Sequence, residues 1–115
     1  MAISQAQATV RNENGTALID LSGDINATAE GTLNNAYAEA TAAGDGPIVL
    51  NFSDVSYINS TGIALIVGIL ASARKAGRTI VAYGLSDHYR EIFEITRLAD
   101  FMKLYPDEQS ALADE

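Results

Sequence analysis

The chain has 115 residues and contains no cysteine, a single histidine, and only seven basic residues against fifteen acidic ones. Without cysteine there is no disulfide framework and no thiolate to serve as nucleophile or metal ligand. The one histidine, His88, lacks an orienting partner for a catalytic triad, and it is expected to face solvent from a helix. The shortage of basic side chains leaves a formal charge of −8. That charge repels nucleic acid and anionic lipid and points to protein partners instead. Long apolar runs are missing as well. The longest, residues 62 to 71, covers ten residues, whereas a membrane span needs about 20. No membrane insertion is therefore expected. The start Met1-Ala2-Ile3-Ser4-Gln5 lacks the basic and apolar blocks of a signal peptide, so the expected location is the cytoplasm. Phosphate-loop and dinucleotide signatures are absent, and Gly62 and Gly68 fall within a helical pattern where close packing is their expected use. No cofactor and no metal is expected, and the acidic Asp107, Glu108, Asp114 and Glu115 read as a solvated helix and tail. Asn-X-Ser/Thr sequons at Asn14, Asn26, Asn51 and Asn59 read as chance, because nothing marks the chain as secreted and Asn51 falls in a strand expected to be buried.

What is present is a chain that is 48% hydrophobic, enough for one core and too short for two, so residues 1–115 are expected to form a single domain. Thr9 to Arg11 and Thr16 to Leu21 read as strands joined at Asn14-Gly15, a pair suited to the positive φ angles of a hairpin turn. Asn26 to Ala43 reads as an amphipathic helix with Ala29, Leu33, Ala36, Tyr37 and Ala40 on one face and Gly44 at its carboxyl end. A strand at Ile48 to Phe52, a helix at Ser60 to Lys75 stopped by Ala76-Gly77, and a strand at Thr79 to Tyr83 closed by Gly84 follow. Ser86-Asp87 can cap a helix running to Ile95 with Tyr89, Ile92 and Phe93 inward. Phe101 to Leu104 then reads as a short strand and Pro106 as the opening of a last helix. Strands alternating with helices through short connections predict an α/β fold, a mixed but mostly parallel sheet with about four helices packed on it.

In such sheets the functional surface lies where strands run into helices at their carboxyl ends. Asp54-Val55-Ser56-Tyr57-Ile58-Asn59-Ser60-Thr61-Gly62-Ile63 is one such junction and Gly23-Asp24-Ile25-Asn26 another. Both follow strands of the same sense, so they are expected side by side around Ser60. Asn59 is a good N-cap, which places the hydroxyls of Ser60 and Thr61 in the first helical turn at the positive end of the dipole. A phosphoryl group there would meet unpaired N–H groups and a favourable field. Small polar residues also serve simply as caps, and that plain use accounts for the same pattern. The helix that follows is apolar nearly all round. Thr61, Leu65, Gly68 and Ser72 fall opposite Ile63, Val67 and Leu70, either as a face for a partner or as a face buried under a neighbouring helix. Ser60 has no Gly-X-Ser-X-Gly context and no second catalytic group, so catalysis by this chain is not expected.

Taken together, the Gly23-Asp24-Ile25-Asn26 loop, the junction from Asp54 to Ile63 and Phe93-Glu94-Ile95-Thr96-Arg97-Leu98 resemble the single-domain STAS proteins that act as anti-sigma factor antagonists. The resemblance covers nearly the whole chain. It implies a STAS-like fold and a partner switch with no catalysis of its own. A serine-protein kinase with a histidine-kinase-like ATPase fold, itself the anti-sigma factor, would phosphorylate the position matching Ser60, with Thr61 as a secondary site. A PPM-type phosphatase would reverse it. The unphosphorylated protein would bind the kinase, and the surface expected to carry that binding is Asp24, Asn26, Asn59, Ser60, Thr61 and Gly62 at the junctions. Leu65 and Gly68 are added because they lie on the same side of the helix as Thr61, about one and two turns on. This chain departs from the family by carrying Asn59 and Asn26 where aspartate is common. An alternative within the same resemblance is a STAS interaction subunit of a transporter or stress-sensing complex without a phosphate cycle.

Overall fold

Asn14 and Gly15 both adopt positive φ, 53° and 87°, as a two-residue hairpin turn requires. In the computed structural model, which describes residues 5–113, they join β1 (Gln7–Glu13) to β2 (Thr16–Ile25) in antiparallel register. A 3-10 turn (Ala27–Ala29) leads into α1 (Glu30–Ala42). The helix expected from Asn26 thus begins with a tighter turn, because Asn26 accepts from the Thr28 N–H through its side chain and from the Ala29 N–H through its carbonyl. Leu33, Ala36 and Ala40 are buried and Tyr37 half-buried, on the face the sequence predicts. Gly44 is not left-handed; the Ala43 N–H closes the helix on Glu39 and Ala40 instead.

Next come β3 (Ile48–Ile58), α2 (Ser60–Lys75), β4 (Ile80–Tyr83) and α3 (Asp87–Ile95). A 3-10 turn (Leu98–Asp100), β5 (Lys103–Tyr105) and α4 (Glu108–Leu112) complete the chain. The sheet order is β1-β2-β3-β4-β5, parallel throughout except for β1. Each parallel step moves the same way across the sheet, and right-handed crossovers then deliver α1, α2 and α3 to one face. Alternate strand residues bear this out. Ile19, Leu50, Phe52 and Ala82 pack with Leu33, Ile66, Ile69 and Phe93, whereas Leu18, Val49, Val81 and Tyr83 face the other way against Ala111 and Leu112 of α4. The rings of Phe52 and Phe93 meet edge to face at 5.8 Å. The fold is the mostly parallel α/β sheet with four helices that the sequence predicts.

Four details differ from the sequence reading. Val67 is 43% exposed, because the inward stripe of α2 runs through Gly62, Ile66, Ile69, Leu70 and Ala73. Phe101 is not in a strand: its N–H closes the preceding 3-10 turn on Leu98, and its ring is 54% exposed beneath the Arg74 guanidinium. Pro106 lies one residue before the last helix's cap, which is Asp107, accepting from the Ser110 N–H at 2.8 Å.

Glu108 is the fourth, for it is no bland surface acid. Its Oε1 accepts from Arg11 at 2.9 Å and from the Tyr83 hydroxyl at 2.8 Å. Arg11 also forks onto Asp20 at 2.6 and 3.0 Å, and the Asn51 amide donates to Asp20 at 2.8 Å. Asn51, expected buried, is half-buried and serves this network. The cluster ties β1, β2, β3, β4 and α4 together. Arg11 holds both Asp20 and Glu108 below the ordinary carboxylate range, and burial with the nearby Glu108 pushes the Tyr83 hydroxyl up. Depressed carboxylate values give stability that is present above the ordinary range and lost as pH falls through the folded values. Charge-assisted bonds contribute about 1.5 to 3 kcal/mol, reduced here because these side chains are roughly one-third exposed. We expect Arg11→Met to lose about 1 to 2 kcal/mol at pH 7 and the gap to the parent to shrink by pH 3. Urea melts at both pH values test this, and a gap unchanged at pH 3 contradicts it.

Candidate functional site

β3 runs six residues past its expected end at Phe52, to Ile58. Its pairing with β4 stops at Asn51↔Tyr83, while pairing with β2 continues to Ile25↔Ile58. β2 likewise continues past Leu21, with register slips between Asp20 and Ser22 and between Gly23 and Asp24. Gly23 takes a φ of 83° there, a conformation that costs glycine little. The two strands thus form a ribbon projecting beyond the rest of the sheet, and Ser53, Asp54, Ser56 and Tyr57 along it are exposed. Ile58 has no strand on its β4 side, and its N–H is accepted instead by the Tyr89 hydroxyl of α3 at 2.9 Å. Tyr89, expected only as an inward-facing side chain, therefore also braces the end of β3.

Both junctions meet at the tip of this ribbon. Asn59 donates its backbone N–H to the Ile25 carbonyl at 3.2 Å. Its extended backbone and its Oδ1, accepting from the Gly62 N–H at 2.8 Å, make it the N-cap of α2. Ser60 and Thr61 follow as the first two helical residues, both exposed. Across the tip, Asn26 Oδ1 accepts from the Thr28 N–H at 3.0 Å and from the Thr28 hydroxyl at 2.6 Å. Asp24, half-buried, lies in register with Tyr57. The structure thus brings Asp24, Asn26, Asn59, Ser60 and Thr61 into one locality. The contribution of Thr28 escaped the sequence reading, although its place two residues after Asn26 is the ordinary spacing of such a turn.

Gly62 does not belong to the exposed surface. It is buried, and a Cβ built on it would collide with the Ile25 carbonyl. Its hydrogen side chain is what lets α2 lie directly against the end of β2. Gly68, one of the two helix glycines for which close packing was expected, is exposed, and a Cβ there meets nothing within 4 Å. Burial under a neighbouring helix is thereby excluded for it. Leu65 is half-buried against the core, and Ala64, Val67, Ala71 and Ser72 are exposed. The outer side of α2 is therefore a shallow, largely apolar face continuous with Ser60 and Thr61. Because Gly68 is open, Gly68→Gln should raise stability by up to about 1 kcal/mol through helix propensity. Chemical denaturation measures this, and a loss above that amount would mean that the position is not open.

The site's chemistry is that of an exposed hydroxyl at a helix N-terminus. His88 is exposed on α3 with its ring against Tyr89 at 4.9 Å. Among the described residues no group of three or more His, Cys, Asp or Glu could hold a metal ion, and no helix is long and apolar enough to cross a membrane.

Comparison with known proteins places this geometry in context. The family model described as STAS domain matches residues 7–111. An anti-sigma-B factor antagonist of Listeria monocytogenes is 38% identical over 55 residues, 48% of this chain and 48% of that protein. The chain thus spans about half the length of the curated relatives it matches. The crystal structure of an anti-sigma factor antagonist from Mycobacterium paratuberculosis superposes with a TM-score of 0.75 at 23% identity, covering 94% of this chain and 92% of that one. The Bacillus cell fate determinant SpoIIAA in its phosphorylated form gives 0.69 at 20% identity, covering 91% and 96%. At these identities the structural likeness is one of fold.

Proposed function

This chain belongs to the STAS domain family, and from that membership we propose that it is an anti-sigma factor antagonist, a cytoplasmic partner-switching module controlled at Ser60. The observation that carries the reading is the placement of the Ser60 hydroxyl, exposed in the first turn of a helix that begins beside the Gly23 to Asn26 loop. The relatives named as anti-sigma-B factor antagonists support the same output. In this reading the unphosphorylated face formed by Asp24, Asn26, Asn59, Thr61, Leu65 and Gly68 binds an anti-sigma factor that is also a serine kinase with a histidine-kinase-like ATPase fold. Phosphate on Ser60 ends that binding, and a PPM-type phosphatase restores it.

The physics of the position suits a reversible charge. A phosphoryl group adds about −1.5 to −2 charges and three acceptor oxygens, and the helix N-terminus stabilises such a charge without rearranging the fold. The amides Asn59 and Asn26 cap their helical turns through Oδ1, as carboxylates would. They bring no negative charge of their own, so repulsion of a phosphoserine is eased. Incubation with the cognate kinase and ATP should place phosphate on Ser60, with Thr61 a minor site. Peptide mass mapping checks this, and phosphate mainly on Thr61, or on neither residue, overturns the assignment.

A further inference from the structure

The backbone that delivers Ser60 is held from two sides. β3 loses β4 as a neighbour after Asn51, so the ribbon beyond it is paired to β2 alone. Along the other edge, the chain leading from β4 into α3 meets the ribbon at two points. At the base, Gly84 lies so close to Ser53 that a Cβ on it would collide with Ser53 Oγ and stand 2.8 Å from the Ser53 nitrogen. At the far end, the Tyr89 hydroxyl accepts from the Ile58 N–H at 2.9 Å. The next N–H, that of Asn59, donates across the ribbon to the Ile25 carbonyl at 3.2 Å. Two successive peptide groups are thus fixed by different elements, one of them through a side chain.

The first turn of α2 is built directly on them. Asn59 accepts from the Gly62 N–H through Oδ1 at 2.8 Å and from the Ile63 N–H through its carbonyl at 2.9 Å, and Ser60 lies between. Tyr89 is itself held in place: Ser86 Oγ accepts from its N–H at 3.3 Å, and its half-buried ring packs against the core. Packing alone asks only for the ring. The hydroxyl supplies an acceptor to a residue that is 5% exposed, where an N–H without a partner is unfavourable. On the Ser60 switch proposed above, we infer that Tyr89 is a positioning residue for phosphoryl transfer, fixing through Ile58 and Asn59 where the Ser60 hydroxyl stands. In that transfer the bond between the γ-phosphorus of ATP and ADP breaks, a bond from phosphorus to Ser60 Oγ forms, and the hydroxyl proton passes to a base of the kinase. Such a step depends on placement, and an error of about 1 Å can cost about 100-fold in rate.

The test is Tyr89→Phe in the full chain, which keeps the ring and removes the acceptor. Arg11→Met, in the network around Asp20 and Glu108, controls for lost stability alone, and a melt confirms that both variants are folded. In the parent, the Ile58 amide should be protected from hydrogen exchange although no strand lies on its β4 side; rapid exchange there overturns the inference without any variant. Tyr89→Phe should speed exchange at Ile58, Asn59 and Gly62 by about tenfold or more relative to Leu18 and Leu50 in the sheet, and Arg11→Met should not. With the cognate kinase and ATP, Tyr89→Phe should lower kcat for Ser60 about fivefold or more and leave KM within about twofold, whereas Arg11→Met should leave both within about twofold. Exchange unchanged at the three amides, or an equal fall in kcat in Arg11→Met, would show that the hydroxyl does not set the turn. A raised KM at unchanged kcat would make Tyr89 a kinase contact instead, and would equally overturn the positioning role. No phosphate on Ser60 in the parent would overturn the switch itself, an outcome distinct from a normally phosphorylated parent and an unaltered Tyr89→Phe rate, which would overturn the role of Tyr89 alone.

Discussion

Replacing Gly62 by alanine should lower the melting temperature by about 4 °C or more, although alanine is the better helix former by about 1 kcal/mol. The Cβ has nowhere to go. Besides colliding with the Ile25 carbonyl oxygen, it would stand 2.8 Å from the carbonyl carbon and 3.1 Å from Ile25 Cγ2. Two of these three atoms are backbone, so relief requires moving the end of β2 or the start of α2. Neither moves independently. The same Ile25 carbonyl accepts the Asn59 N–H, and Asn59 caps α2 through the Gly62 N–H. Overpacking of this kind costs typically about 1 to 3 kcal/mol and sometimes more, and in a domain near this size each kcal/mol shifts the midpoint by about 4 to 8 °C. Gly68→Ala on the same helix is the control: its Cβ enters open space, so propensity alone acts and the melt should rise. If both substitutions shift the melt in the same direction, the close approach of α2 to Ile25 is not what Gly62 provides.

The contrast between these two glycines also marks where sequence reasoning stops. Both sit in an apolar helical pattern, and nothing in the pattern distinguishes a glycine pressed on a carbonyl from one facing water. The limits of α2 were legible to the residue, because Asn59 is a strong cap and Gly77, at φ 72°, a strong stop. Its orientation was harder to read. In a helix that is apolar nearly all round, Val67 fits an inward stripe as well as Ile69 does, and the small residues Gly62 and Ala73 decide which stripe packs. Asn14-Gly15 marked the hairpin through its φ requirement, whereas the burial of Ala17, Leu18 and Ile19 on both faces of β2 came only with the structure.

The overrun of β3 was not legible for a different reason. Period-two patterning appears only where one face of a strand is buried, and Ser53, Asp54, Ser56 and Tyr57 are exposed to solvent. Their strand conformation comes from the backbone of β2 alone, through a register that slips twice. Glu108 likewise looked like a solvated acid because its partners Arg11 and Tyr83 are distant in sequence. The junction of Asn26 with Asn59 was foreseeable as to side, since β2 and β3 run parallel. It is their pairing through Ile25↔Ile58 that brings the two ends level, whereas β4, also parallel to β3, ends at Tyr83 opposite Asn51.

Ser60→Asp should separate folding from binding more sharply than any other single change in this chain. A carboxylate in the first turn of α2 gains about 0.3 to 1 kcal/mol from the dipole, and the exposed position imposes no packing penalty, so the melt should stay level or rise slightly. If the chain is the partner switch proposed above, its binding to an anti-sigma kinase should weaken by about 100-fold, close to 2.7 kcal/mol. The expected loss comes from desolvating a new charge at the edge of this chain's largely apolar α2 face on association. Ser60→Ala separates charge from the hydroxyl itself. It should bind within a fewfold of the parent and accept no phosphate at that position. Gly68→Gln, which adds bulk and no charge about two turns along the same helix, should weaken binding while slightly stabilising the fold, because it blocks close approach to the open stretch of α2. Calorimetric titration of the three variants against the kinase, each paired with a melt, reads these effects separately. A Ser60→Asp protein that binds as tightly as the parent would rule out a charge switch at Ser60. One that is grossly unfolded would mean that the first turn of α2 is load-sensitive in a way that an exposed, dipole-favoured position should not be.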